Sequence, residues 1–349
     1  MSVNRFAEWL EMQGPVALTV VEELEPVQGA GSVFFPPTFA PPEGSKDSPG
    51  YVVDPTADGQ VAIVDTVGSQ ANRMEPVFKE ARYSGLVPRA RVKVGDREID
   101  ILDAGHRAAD AIVRFSEKWG DLRAAFLAIR EKRDAAPLAK LSPTSLVFGV
   151  WDSRDTQVKL PRIVGSTIRA YGAERLWRNA QFFAATEKSE TEGLATQEFL
   201  SAVGLDDAPA GRTHGGIIAR NGIRRETVLN LIALRALSAS GTDSTVKLHR
   251  YILGLSLVAL LAPSSRFLRE GCLLVPIEGK EPEAKVVARN GLRSSLKMSE
   301  AEALEFARAA AADFGVGDAW TATFSPDAVR KAANKKEQDK AKKKEAKKK

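Results

Sequence analysis

Apolar residues recur with two different periods along this chain. "MSVNRFAEWLEM" has the three-to-four spacing of a short amphipathic helix, and "VALTVVEEL" follows as a strand. "GQVAIVDTV" alternates like a buried strand and runs into "GSQANRMEPVF", a short helix with Ser69 as the expected cap and Pro76 as the interruption. "VPRARVKVGDREIDIL" reads as two strands around a Gly-Asp turn. "HRAADAIVRFSEKWGDLRAAFLAIREKR" predicts two consecutive helices, after which "SLVFGVW" reads as a buried strand. "LPRIVGSTIRAYG" fits strand and helix equally, and "HGGIIAR" is strand-like. The most regular helical patterns are "RRETVLNLIALRAL" and "TVKLHRYILGLSLVALLA". "CLLVPI" and "AKVVAR" are late strands. "SEAEALEFARAAAADF" opens with Ser299 and Glu302 at the spacing of a capping box and predicts a helix.

Between these elements, "FFPPTFAPPEGSKDSPG" is too rich in proline for regular structure and predicts a loop. Residues 186–213 are polar and predict a flexible insertion around one short helix. Strands and helices mix irregularly, without repeated β-α units, so the expected class is α+β. The expected organisation is one domain with insertions over residues 1–329 and a lysine-rich, disordered tail over residues 330–349. The apolar run at residues 251–262 is shorter than the roughly twenty residues a bilayer needs, and predicts a buried helix. No basic stretch precedes an apolar one near the start, so no secretory leader is expected.

Charge changes this picture once it is divided. The chain carries +5, but Arg330 to Lys349 holds ten lysines, one arginine and three acids, a net +8, which leaves −3 on residues 1–329. A nucleic-acid site on the body must therefore be local. The single cysteine, Cys272, excludes an intrachain disulfide and a cysteine-built zinc cluster, and points to a reducing cytoplasm; its apolar run predicts a buried thiol.

The chain has no phosphate-binding G-x-x-x-x-G-K-S/T, no G-x-G-x-x-G and no G-x-S-x-G elbow. His106 and Asp110, four apart on the predicted helix with Asp103 just before, form the best metal candidate, but H-E-x-x-H and paired-histidine spacings are absent. A metal-dependent nuclease acting on RNA or single-stranded DNA is the alternative that these residues leave open, and a purely protein-binding assembly factor is another. Asp152 and Asp155 flank Ser153 in "GVWDSRDTQVKLPR" and read as turn formers before a cationic ridge. Three segments place cations and amides beside strand ends or loops. The first carries Gln70, Asn72 and Arg73; the second Arg154, Gln157, Lys159, Arg162 and Arg169; the third His214, Arg220, Arg224 and Arg225. Guanidinium and ammonium groups bind phosphate, amides bond sugar or base edges, and the glycines beside His214 let a backbone approach closely.

At these residues the chain resembles the RAMP-superfamily backbone subunit of type I-U (I-G) CRISPR Cascade complexes. The matching strings include "DTVGSQANRMEP", "LDAGHRAADAIVR", "LAKLSPTSLVFGVWDSRDTQVKLPRIVGSTIRAY", "HGGIIARNGIRRETVLNLIALR" and "LREGCLLVP". The resemblance implies a modified ferredoxin-like, RNA-recognition-type core with large insertions and a hand-like shape. It implies a non-enzymatic subunit of an antiviral ribonucleoprotein that binds CRISPR RNA. Copies would assemble head to tail along the guide spacer, with a projecting hairpin against each neighbour, while the guide pairs with target DNA. Implied partners are the other Cascade subunits, the large subunit and the guide-processing and cap subunit among them, and a recruited helicase-nuclease; no membrane and no cofactor are implied. "TQVKLPRIVGSTIR" is similar to the palm segment of RAMP proteins, which puts Gln157, Lys159, Arg162 and Arg169 first as RNA ligands. Gln70, Asn72 and Arg73 follow, then His106 and Arg107 at an expected helix start, where free amides favour an anion, and His214, Arg224 and Arg225. The aspartate-dependent cleavage of related type III subunits is not implied here, since no matching loop aligns.

Overall fold

A computed structural model describes residues 4–41, 43, 49–263 and 265–334. Its frame is an antiparallel sheet in which alternation decides what each strand buries. The first core strand, Ala17–Pro26, turns every second residue inward. It pairs on one side with Ile223–Asn230, which pairs in turn with Val164–Tyr171. On its other side it pairs with Cys272–Pro276 and Glu283–Val287. Numbered along the chain, these four core positions lie in the order 4-1-3-2, the ferredoxin-like arrangement. The hairpin Val53–Thr56 and Gly59–Asp65 extends the edge beyond Val164–Tyr171. The fold is therefore α+β, with the expected ferredoxin-like core and insertions.

Helices fill the crossovers. Thr242–Leu261 is long and apolar enough to cross a membrane by length and composition, but twelve of its residues are buried in the main core. It packs on Glu300–Phe314, whose N-cap Ser299 and Glu302 form the expected capping box. The two helices approach so closely that a Cβ at Gly254 would lie 2.8 Å from the Ala307 Cα. Between the second and third core strands a long hairpin, Ala173–Phe182 with Ala208–Ala219, leaves the sheet.

Several local expectations are corrected. "SLVFGVW" is the helix Thr144–Phe148 followed by the two-residue strand Val150–Trp151. "RRETVLNLIALRAL" is the strand Ile223–Asn230, then the helix Leu231–Arg235 capped by the Asn230 side chain. Burial alternates along this strand, with Arg225 and Thr227 inward and Val228 outward, because pairing with two neighbouring strands overrides the helical spacing. Thr66, not Ser69, caps Val67–Met74: the Ser69 amide donates to the Thr66 hydroxyl. His106 and Asp110 share no helix face, because the first expected helix is a 3-10 turn, Arg107–Ala109, and a single turn, Ala111–Arg114, capped by Asp110. The stretch 186–213 holds two short helices, Lys188–Thr191 and Gln197–Ala202, and the start of a hairpin strand, instead of one helix. Residues 326–334 are helical, and the rest of the lysine-rich tail lies outside the described residues.

Gly254→Leu is expected to overpack the helix pair and to lower the unfolding free energy by about 1–3 kcal/mol, read from the urea midpoint.

Candidate nucleic-acid interface

The segment Gly149 to Arg162 folds back on itself through two short paired strands, Val150–Trp151 and Lys159–Leu160. Asp152 holds this turn shut. Its side chain is fully buried, and Oδ2 accepts from both the Thr156 amide and the Thr156 hydroxyl at 2.7 Å. Oδ1 accepts from Arg114 at 2.8 Å. Asp155 ties the turn to the helix Trp119–Lys132 through Arg123 at 2.9 Å. Both aspartates are thus engaged structurally, Asp152 within the turn and Asp155 across to the neighbouring helix.

Across from this hairpin, Gly105, His106 and Arg107 complete a cleft of about 370 Å³, lined also by Gly149, Trp151, Ser153, Lys159 and Arg162. Arg107 is buried, in a left-handed conformation (φ 52°), with its Nε 2.6 Å from Glu75 Oε2. Its Nη1 donates to the Gly149 carbonyl and its Nη2 to Asn72 Oδ1. Burial pushes the Glu75 carboxyl up to about 7, against the pull of the Arg107 guanidinium and the Thr144 hydroxyl. Burial also lowers Arg107, and the nearby Arg162 charge adds to that.

Arg162 itself is exposed, and its Nη2 lies 3.9 Å from the place a Gly68 Cβ would take, in the first turn of Val67–Met74. Its positive charge therefore stands beside a helix N-terminus, which also favours an anion. Among the described residues no carboxylate lies within ion-pair distance of Lys159, Arg162 or Arg154. Lys159 sits over the Trp151 ring, 5.2 Å from its centroid. Exposed cations without a counter-ion, two glycines and an aromatic face make a site for a phosphodiester chain.

Of the residues chosen from sequence, His106, Arg107, Lys159 and Arg162 are brought together here, with Asn72 behind Arg107. Arg154 and Gln157 lie on the same turn; Gln157 is left-handed (φ 62°) and donates its amide to the Ser153 carbonyl. Gln70 is buried, donating to Asp65 at 2.6 Å and accepting from Ser166. Arg73 pairs with the same Asp65 and caps the carbonyls of Phe267 and Leu268. Arg225 is buried 3.0 Å from Glu22. These three are committed to partners within the protein. Arg169 pairs with Glu226, and Arg224 lies over the Tyr171 ring, both on the outer face of the sheet. Arg220 pairs with Glu174 at 2.8 Å on the long hairpin. His214 belongs to that hairpin too, its Nε2 within 2.8 Å of the Pro49 carbonyl. Asp103 pairs with Lys79, and no group of three or more metal-ligating side chains comes together among the described residues. Cys272 is buried, and burial pushes its thiol up to about 12.

Sequence reasoning missed Trp151, Gly105 and Glu75. No sequence signal puts Trp151 outside, because Val-Trp-Asp does not alternate and only the buried Asp152 turns it outward.

A ferredoxin-like sheet with large crossover insertions is compatible with a RAMP-type core. Residues 18–175 match the model of the family described as CRISPR-associated protein GSU0053. The matched stretch contains every residue that lines the cleft. No curated protein matches the chain.

Asp152→Ala leaves Arg114 and Thr156 without their buried acceptor and is expected to cost about 3 kcal/mol, read by urea denaturation. The raised Glu75 carboxyl has a sign that can be checked. Its contribution to stability is complete below its ordinary value of 4.5 and is lost as the pH rises through about 7. Relative to Glu75→Gln, the wild type is expected to lose stability over that window, measured as urea midpoints at each pH.

Proposed function

We propose that this CRISPR-associated protein is the guide-binding backbone subunit of a type I-U (I-G) Cascade complex. The observation that carries the reading is the cleft in which Lys159 and Arg162 stand exposed, with no counter-ion among the described residues, beside Arg107 and His106. The subunit binds CRISPR RNA there through its phosphates, and sequence is read by pairing of the guide with target DNA. It has no catalytic role of its own and works in the cytoplasm. Copies assemble head to tail along the spacer, beside the large subunit and the guide-processing and cap subunit, and the assembled complex recruits the helicase-nuclease.

The hairpin Ala173–Phe182 with Ala208–Ala219 is the element best suited to reach a neighbouring copy. Phe182, Phe183, Leu194 and Phe199 are exposed along its outer half, where a water-facing apolar surface favours a protein partner. A body that carries −3 outside its tail fits a subunit that binds RNA in one groove and protein elsewhere.

Co-expression with a CRISPR array, followed by purification and sequencing of the bound nucleic acid, tests the reading. The wild type is expected to retain guide RNA in a higher assembly. The double charge reversal Lys159→Glu and Arg162→Glu is expected to lose both while its melting temperature stays that of the wild type. Each phosphate contact removed lowers the slope of log affinity against log salt by about 0.7. An intact wild-type protein recovered without RNA sinks the proposal; unchanged RNA in the double variant removes these residues from the site.

A further inference from the structure

We infer that Trp151 stacks on an unpaired nucleobase, so that the cleft takes single-stranded RNA with its phosphates on Lys159 and Arg162. The inference rests on the RNA-binding reading given above and deepens it by naming the form of the ligand.

A tryptophan rarely stays in water without a reason, yet 56% of Trp151 is exposed. Its position is imposed from both sides. Val150 is buried and Asp152 is wholly buried, so the residue between them on an extended segment must point outward. Asp152 cannot turn out to release it, because Thr156 and Arg114 hold its two oxygens. The hairpin cannot slide either. Gly149 has φ 78°, and a Cβ there would stand 3.0 Å from Arg162 Cγ and 3.1 Å from the Leu160 carbonyl oxygen. Trp151 and Lys159 are direct cross-strand partners, and the ammonium above the indole fixes the ring by a cation–π contact. The result is a rigid aromatic shelf at the rim of a cationic cleft.

Such a shelf has a specific use. Phosphates alone would bind equally well whether the bases were paired, unpaired or missing. An indole face gains only from a base whose own face is open, and every base has one. Duplex RNA hides its base faces in the stack and offers only backbone and groove. The shelf therefore selects an unpaired strand without selecting its sequence, which suits a protein that must hold any guide.

Equilibrium binding by the full chain distinguishes these contributions. The probes are a labelled oligouridylate, an abasic ribose-phosphate strand of equal length and a duplex RNA. The wild type is expected to prefer the oligouridylate over both others. Trp151→Ala should weaken oligouridylate binding by about 5- to 100-fold and leave abasic binding almost unchanged. Trp151→Phe should regain most of the loss, which separates stacking from a folding defect. Arg162→Glu should weaken oligouridylate and abasic strands alike. If Trp151→Ala keeps the wild-type preference for bases, or loses both strands equally, the stacking role is overturned while the phosphate-binding reading stands. If Arg162→Glu changes neither affinity, Arg162 is not part of the RNA site and the shelf beside it loses its phosphate partner, which overturns the inference.

Discussion

Among the described residues five carboxylates are buried, and four of them have an arginine beside them. Glu22 meets Arg225 and Arg266, Asp65 meets Arg73, Glu75 meets Arg107, and Asp152 meets Arg114. An isolated ion in such a place would cost on the order of several kcal/mol, so each acid fixes the position of its cation and of the segments that carry both. The first two pairs stitch the sheet. Glu22 and Arg225 are register partners, as are Thr227 and Ser166, and the Thr227 hydroxyl donates to Ser166, which donates to Gln70, which donates to Asp65. This polar seam crosses the inner face between two apolar clusters, with Val20, Val164 and Leu229 on one side and Leu24, Ile168 and Ile223 on the other. A one-residue slip would turn a strand's inward set to the opposite face and break this seam.

The other two pairs build the cleft from opposite walls. Glu75 draws Arg107 inward and so brings the Gly105–His106 turn against Gly149. Asp152 closes the facing hairpin and leaves Trp151 and Lys159 directed to water. The cleft is thus a by-product of satisfied burial: its frame is neutralised within the protein, and the charges left over, Lys159 and Arg162, face outward. That is how a body with a net negative charge outside its tail presents a local positive surface.

The elements most legible in the sequence were those whose pattern was unambiguous on its own. The Gly-Asp hairpin at 90–100, the capping box at Ser299, and the apolar helix that contains Tyr251 all follow from local periodicity and capping chemistry. Of the site, Lys159 and Arg162 were legible as cations on a polar ridge after an apolar run. Gln70, Arg73 and Arg225 looked the same in sequence, because an arginine string does not say whether an acid waits across a strand. Residues 224–230 read as helix for a related cause: nothing in their order marks a strand, and only the two flanking strands make the extended form the better one.

The sequence by itself therefore determined the α+β class, the core helices, the division of charge between body and tail, and the stretch that holds the cationic ridge. These depend on interactions between residues a few positions apart, or on composition alone. Tertiary structure decided which cations are free, that Trp151 stands outward, and that His106 and Arg107 come to face Lys159 and Arg162. Those outcomes turn on desolvation, and a side chain is desolvated by segments a hundred residues or more away in the chain, as Phe267 is from Arg73.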